Sequence, residues 1–266
     1  MTTIGFLTDF GLQDDFVGTC HGVILRIAPE ARVIDVTHGI PPQAILQGAI
    51  VLRNTTPYMP VGVHLAVVDP DVGGERRAVA LQTADGRTFV GPDNGLLMLA
   101  ADQLGVAAAH ELLDERYRLP EVSRTFHARD IFAPAAAHLA VGVPIGELGP
   151  AVDPETLVRV DSPDPDVGRS QISATVVGID RFGNIATNLL AHHLAALGIS
   201  TGDRVEVRIS FDRYYASVVG TFADAAQGEL IVYEDSYGLV TLAISRGNAA
   251  RLTGARLGDE LRLAVE

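Results

Sequence analysis

His64-Leu65-Ala66-Val67-Val68-Asp69-Pro70-Asp71-Val72-Gly73-Gly74-Glu75-Arg76-Arg77 carries the first clue to the architecture. Its opening five residues form a short apolar run that stops at an Asp-Pro step, the pattern of a strand buried on both faces. The strand delivers Asp69 into a turn made by Pro70 to Gly74, and two arginines open the next strand. A carboxylate at a strand end and a cation at Arg76 can hold opposite charges over one cleft, so chemistry is expected there. The expected partner is Ser123-Arg124-Thr125-Phe126-His127-Ala128-Arg129-Asp130, where an imidazole is embedded in a dense polar cluster.

Upstream, residues 3–8 read as a buried strand ending at Asp9-Phe10-Gly11, residues 14–28 as a helix closed by Pro29, and residues 32–37 as a second strand. A helical pattern covers 43–54 after Pro41-Pro42. Strands alternating with helices predict a parallel sheet with crossover connections. Downstream, Ala84-Asp85-Gly86 predicts a hairpin between strands 77–83 and 87–90. Gly91-Pro92-Asp93-Asn94-Gly95 then leads into a helix over 96–104, followed by a strand at 108–111 and a helix over 130–141. Phe126 and His127 therefore fall just before a helix N-terminus, which favours negative charge.

From Asp161 to Arg169 the composition turns to prolines, acids and glycine, which is that of a linker. Beyond it come short strands at 171–179, 204–210, 217–219, 229–233, 239–244 and 260–265, with one brief helix near 190–197. The expected fold is an α/β/α sandwich with a mostly parallel sheet over 1–162, a linker over 163–169, and a smaller all-β barrel over 170–266.

The chain has 266 residues, 47% of them hydrophobic, enough for a substantial core and unlike a disordered chain. No apolar run approaches the roughly 20 residues of a membrane span, and no basic leader precedes the first strand. A single cysteine, Cys20, excludes an intramolecular disulfide and fits a cytoplasmic protein. A net charge of −13 argues against a nucleic-acid surface. All 20 basic residues are arginine, which excludes Schiff-base lysine chemistry and a lysine-dependent phosphate loop.

Asp9, Asp35 and Asp69 each fall near the predicted C-terminal end of a parallel strand, the edge at which open α/β sheets bind ligands. Singly, each is better explained as a cap or turn residue, but three on one edge point toward a site. Asp9 has the Asp14-Asp15 pair nearby, and a carboxylate suits a ribose diol. His127, beside an acid and an arginine, can orient or deprotonate a water, or serve as an ordinary polar residue before a helix. His192 and His193 are expected on a surface helix, Cys20 in the core, and no His/Cys/Asp spacing reads as a zinc site. In the second half, residues 179–184, 233–238 and 245–249 read equally as turns and as sites.

Six segments in order resemble the S-adenosylmethionine hydroxide adenosyltransferase family, which is related to the fluorinating and chlorinating enzymes. They are Thr8-Asp9-Phe10-Gly11, Val67-Val68-Asp69-Pro70, Gly91-Pro92-Asp93-Asn94-Gly95, Thr125-Phe126-His127-Ala128-Arg129-Asp130-Ile131-Phe132, Asp180-Arg181-Phe182-Gly183-Asn184 and Arg246-Gly247-Asn248-Ala249-Ala250. The resemblance implies a homotrimer, each active site lying between one subunit's N-terminal domain and its neighbour's C-terminal domain. It implies attack of water or hydroxide on C5′ of S-adenosylmethionine, which is the substrate, with no cofactor and no metal. Asp69, Arg76 and His127 would hold and activate the water. Asp9 would take the ribose hydroxyls with Asp14 nearby, Asp180 the methionine ammonium, Phe182 the adenine face, and Asn184 the nucleoside. Ser236 would meet the methionine carboxylate, with Tyr237 where halogenating relatives carry arginine. Asn94 and Phe126 complete the implied contacts. Halogenating relatives lack the Asp, Arg and His of the triad, so hydrolysis is expected over halide transfer. The alternatives are a non-catalytic sensor of S-adenosylmethionine or adenosine, which would need no triad, and weak halide-dependent adenosyl transfer.

Overall fold

The structure, a computed structural model, describes residues 2–161 and 164–265. The chain divides between Asp161 and Ser162 into two compact units.

The N-terminal unit runs β1 (Thr3–Thr8), α1 (Phe16–Ile27), β2 (Arg32–Thr37), α2 (Ile45–Thr55), β3 (Val63–Val67), β4 (Ala78–Thr83), β5 (Thr88–Pro92), α3 (Met98–Leu104), β6 (Val106–Glu111) and α4 (Ala133–Ala140). Its sheet has the order β2-β1-β3-β5-β4-β6. Strand β4 runs against both neighbours, while β2, β1, β3 and β5 pair in parallel. All five residues of β3 are buried because helices cover both faces. Alternate side chains enter opposite cores: Ile4, Phe6, Leu65 and Val67 pack with α1 and α4, and Leu7, Ala66 and Val68 with α2 and α3. This is the expected α/β/α sandwich with a mostly parallel sheet.

The C-terminal unit runs β7 (Asp166–Val167), β8 (Gln171–Ile179), β9 (Ile185–Leu190), α5 (Ala191–Ala196), β10 (Arg204–Ile209), β11 (Asp212–Val218), β12 (Leu230–Glu234), β13 (Leu239–Ile244), α6 (Ala249–Thr253) and β14 (Glu260–Val265). The order β14-β10-β11-β12-β13-β9-β8 closes into a seven-strand barrel through β14–β8 pairing, with β7 added on β8. Closure removes the exposed edges that an open sheet would present. Alternating Val205, Val207, Ile209, Leu261 and Leu263 fill the interior.

Several details depart from the sequence reading. The expected linker begins at Pro163, outside the described residues, and its later part is not slack, since Asp166 and Val167 pair with Ser173 and Ile172. The strand expected at 217–219 is the tail of the longer β11. Strand β9 and helix α6 have no counterpart in the sequence reading, and each begins at the end of a turn read there, 179–184 and 245–249. The helix expected from Asp130 begins earlier as a wide turn of π geometry, Ala128–Phe132, before α4 takes over.

Candidate active site

Strand β3 ends by carrying Asp69 to the C-terminal edge of the sheet, where Arg76 folds back onto it. Arg76 Nε donates to Asp69 Oδ1 at 2.9 Å and Oδ2 at 3.1 Å, and its terminal nitrogen reaches Oδ2 at 2.5 Å. Both side chains are almost sealed from solvent, at 9% and 5% exposure. In that setting a fork-like guanidinium-carboxylate pair is held rigidly. The same Arg76 nitrogen lies 2.8 Å from His127 Nδ1. Arginine has only donors, so Nδ1 accepts and the proton of the neutral ring sits on Nε2. Burial first, then the Arg76 charge, hold the His127 pKa below its ordinary value, so the ring is neutral near pH 7.

Turn geometry brings the two segments together. Gly73 has φ of +78°, and a Cβ there would lie 2.1 Å from the Arg124 carbonyl oxygen, so only glycine lets the 69–76 turn touch the segment leading to His127. That segment hangs on Asp130, which is fully buried and accepts from Ser123 N at 2.8 Å and from Arg129 Nε at 2.6 Å. Burial alone would raise the Asp130 pKa, but Arg129 and Ser123 outweigh it and lower the value. Ser123 Oγ in turn accepts from Phe126 N at 3.0 Å. The π turn sits here, a distortion often found at functional sites.

Asp69 and His127 face a small cleft that also takes Asp9, Val72, Thr125 and Phe126, while Arg76 clamps the pair from behind. The cleft holds about 70 Å³, room for a few waters, whereas small-molecule pockets run to hundreds of Å³. Asp9 Oδ2 accepts from Gln43 N at 2.9 Å, leaving its other oxygen without a described hydrogen bond. Phe10, Phe16 and Phe126 form an edge-to-face cluster at the rim, with ring centroids 5.2–6.0 Å apart. Asp14 is exposed in the segment that leads into α1. Asn94 ties its amide to the frame, donating to the Val68 carbonyl at 2.8 Å and accepting from Leu96 N at 3.2 Å. It therefore fixes the strand end next to Asp69.

Asp35 does not join Asp9 and Asp69 at the cleft, contrary to the expectation of three acids on one edge. It sits inside β2 and turns to His21 and His38. His64, next to the decisive strand's core residues, is stacked on Phe89 with centroids 4.8 Å apart and has no described hydrogen-bond partner. Cys20 is buried in α1, and burial pushes its thiol up to about 12, consistent with an inert core residue.

In the C-terminal unit the candidate residues occupy two exposed turns. Asp180 Oδ1 accepts from the backbone of Phe182 and Asn184, both at 2.9 Å, and Oδ2 from Asn184 Nδ2 at 2.8 Å. The turn holds the Phe182 ring out at 65% exposure, with the Arg181 guanidinium 5.5 Å from its centroid. Ser236 and Tyr237 lie on the β12–β13 turn, closed by Asp235 Oδ1 accepting from Tyr237 N at 2.8 Å and Leu239 N at 3.0 Å. Turn and presentation are thus compatible: the acid closes the loop, and the closed loop displays the ring.

Two family models match the chain, the SAM hydroxide adenosyltransferase N-terminal domain over residues 4–149 and the C-terminal domain over 174–262. An (R)-S-adenosyl-L-methionine hydrolase of Salinispora tropica is 49% identical over 263 residues, covering 98% of this chain and 97% of its own. A fluorinase of Actinoplanes sp. is more distant, 31% identical over 269 residues and 90% of each chain. Among solved structures, that of an uncharacterized conserved protein from Thermotoga maritima superposes with a TM-score of 0.91 at 36% identity, covering 98% of this chain and 99% of that one.

Proposed function

The chain belongs to the SAM hydroxide adenosyltransferase family, and on that premise we propose that it hydrolyses S-adenosyl-L-methionine to adenosine and L-methionine with a water held by Asp69, Arg76 and His127. The observation that carries the reading is the hydrogen-bonded chain from Asp69 through Arg76 to His127, with its two ends facing one cleft of few-water size.

The chemistry asks for little acid catalysis. Sulfur leaves C5′ as a neutral thioether, so nothing has to protonate it, and the barrier lies in holding one water in line while excluding others. His127 donates Nε2–H to the water oxygen and orients its lone pair. Asp69 accepts a hydrogen bond from the water and takes its proton as the C5′–O bond forms and the C5′–S bond breaks. That proton passes to solvent, so substrate cation and water give adenosine, zwitterionic methionine and a proton. Asp9 has an oxygen free for the ribose hydroxyls, Asp14 is assigned to the same end of the substrate, and Phe126 walls the cleft. Asp180 fits the substrate ammonium, Phe182 the adenine face, Asn184 the nucleoside, and Ser236 with Tyr237 the amino-acid carboxylate.

The small cleft of the N-terminal unit cannot enclose the whole substrate. A homotrimer, in which the Asp180 and Ser236 turns of one copy cover the Asp9–His127 cleft of another, supplies the missing wall and hides Phe182. Hydrolysis in ¹⁸O-labelled water tests the chemistry: the label is expected in the 5′-hydroxyl of adenosine and absent from methionine. Adenosine without label, or no turnover despite tight binding, overturns it.

A further inference from the structure

A second cluster of ionisable side chains lies away from the cleft, where α1, β2 and the turn after β2 meet. His21 Nε2 and Asp35 Oδ1 are 2.8 Å apart. His38 Nε2 lies 3.0 Å from the same oxygen but is not aligned to share a hydrogen bond with it or with any other described group. The His38 side chain is 2% exposed, so Nε2 is a buried nitrogen held beside the shared Asp35 oxygen without a well-aligned hydrogen bond. The ring is fixed from its other side. Nδ1 meets Thr8 Oγ1 at 2.8 Å, and the Phe6 ring packs edge-on with centroids 4.8 Å apart.

We propose that His21, Asp35 and His38 bind a divalent transition-metal ion of the zinc class, with water completing its coordination. The three ligand atoms lie within 4.8 Å of one another. Two imidazole nitrogens and one carboxylate oxygen form a donor set that suits zinc, whereas magnesium and calcium prefer all-oxygen shells. Metal-bound histidines commonly give their second N–H to an oxygen, and Thr8 Oγ1 is placed to take it from His38 Nδ1, which leaves the Nε2 lone pair for the ion. Asp35 and His21 are 44% and 29% exposed, which opens a path for the ion and a position for water. Ligands about 2.1 Å from a tetrahedral zinc sit roughly 3.4 Å apart, so binding spreads the present 2.8 and 3.0 Å contacts by about half an ångström. The exposed Asp35 carboxylate on the outermost strand β2 can move that far.

The site would steady the substrate turn rather than take part in the reaction. Thr8 Oγ1 also accepts from Phe10 N at 3.2 Å, and Gly11 N donates to the His38 carbonyl at 2.7 Å. Both contacts brace the turn that carries Asp9.

Metal-free full-length protein titrated with Zn²⁺, and with Co²⁺ as a spectroscopic probe, tests the proposal. The expected result is one saturable equivalent per chain, visible Co²⁺ bands of tetrahedral type, and a Tm raised by Zn²⁺. His21→Ala and Asp35→Asn, which change the two solvent-exposed ligands, are each expected to weaken binding roughly tenfold or more. His192→Ala removes one ring of the exposed pair His192 and His193, whose centroids are 4.0 Å apart, and is expected to leave binding unchanged. The proposal is overturned by the absence of a one-equivalent site, by a site that survives both ligand substitutions, or by one lost with His192→Ala.

Discussion

In the N-terminal unit the Asp69 carboxylate is 5% exposed and gripped by Arg76, while in the C-terminal unit the Phe182 ring is 65% exposed on a turn that its own backbone closes. The first arrangement holds its carboxylate rigidly, as the proposed reaction asks of a group that must position one water. The second displays groups that become useful when something is laid against them. Rate is therefore expected to depend on Asp69, Arg76 and His127, and affinity for the adenine and amino-acid ends of the substrate on the C-terminal turns. The sharpest way to break that division is Asp69→Asn, which keeps the shape and removes the proton acceptor. A fall in kcat of about 10³-fold with KM nearly unchanged is expected from initial-rate kinetics. Equal losses in binding and rate would place Asp69 among the affinity residues instead.

His64 gives the N-terminal unit a buried group that answers acid. Burial, then the Arg87 charge, hold its pKa down to about 4. The unfolded chain takes up a proton near pH 6.5 that folded His64 refuses. Its contribution is thus fully present above that pH and is lost as pH falls toward 4, by about 3 kcal/mol. His64→Leu is expected to remove most of that loss and flatten the acid limb of the N-terminal unit, read by hydrogen exchange resolved along the chain. An unchanged limb would move the acid sensitivity elsewhere.

His127 separates two ways of using an imidazole. With Nδ1 occupied by Arg76, the ring offers a donor, and glutamine can also donate where alanine cannot. His127→Ala is expected to lower kcat about 10²-fold, and His127→Gln to recover part of it. Because the pKa is held below the ordinary value, the acid limb of kcat/KM should fall below pH 6.5. Equal activities for the two variants would favour a base.

Much of this was legible in the chain because local chemistry and global fold agree. An apolar run buried on both faces marks β3, the Asp-Gly turn marks the β4–β5 hairpin, and six ordered motifs carry the family resemblance. What stayed hidden depends on contacts distant in sequence. His21, Asp35 and His38 come from a helix, a strand and a turn, so no ligand spacing marks them. The bond from the Asn94 amide to the Val68 carbonyl joins residues 26 positions apart, so only the fold reveals it. Asp130 looked like a helix-start acid and proves to be the buried anchor of the His127 segment. Strand β9 follows its turn without a break, so turn residues masked it.

The mildest substitutions bear most directly on the contrast between the units. Asp180→Ala removes the acid proposed for the substrate ammonium, and Phe182→Ala removes a stacking surface, so each is expected to raise KM roughly tenfold with little change in kcat. Since Asp180 also closes its own turn, Asp180→Asn, which keeps much of that closure, separates charge from loop shape. Co-expressed Asp69→Asn and Phe182→Ala chains carry the test further. If each site takes its N-terminal half from one copy and its C-terminal half from the next, a statistically mixed trimer regains intact sites at roughly a quarter of positions. If both halves belong to one chain, no site is intact in any mixture. Recovered activity at low substrate concentration would then assign rate and affinity to different subunits of one assembly, and its absence would return both to a single chain.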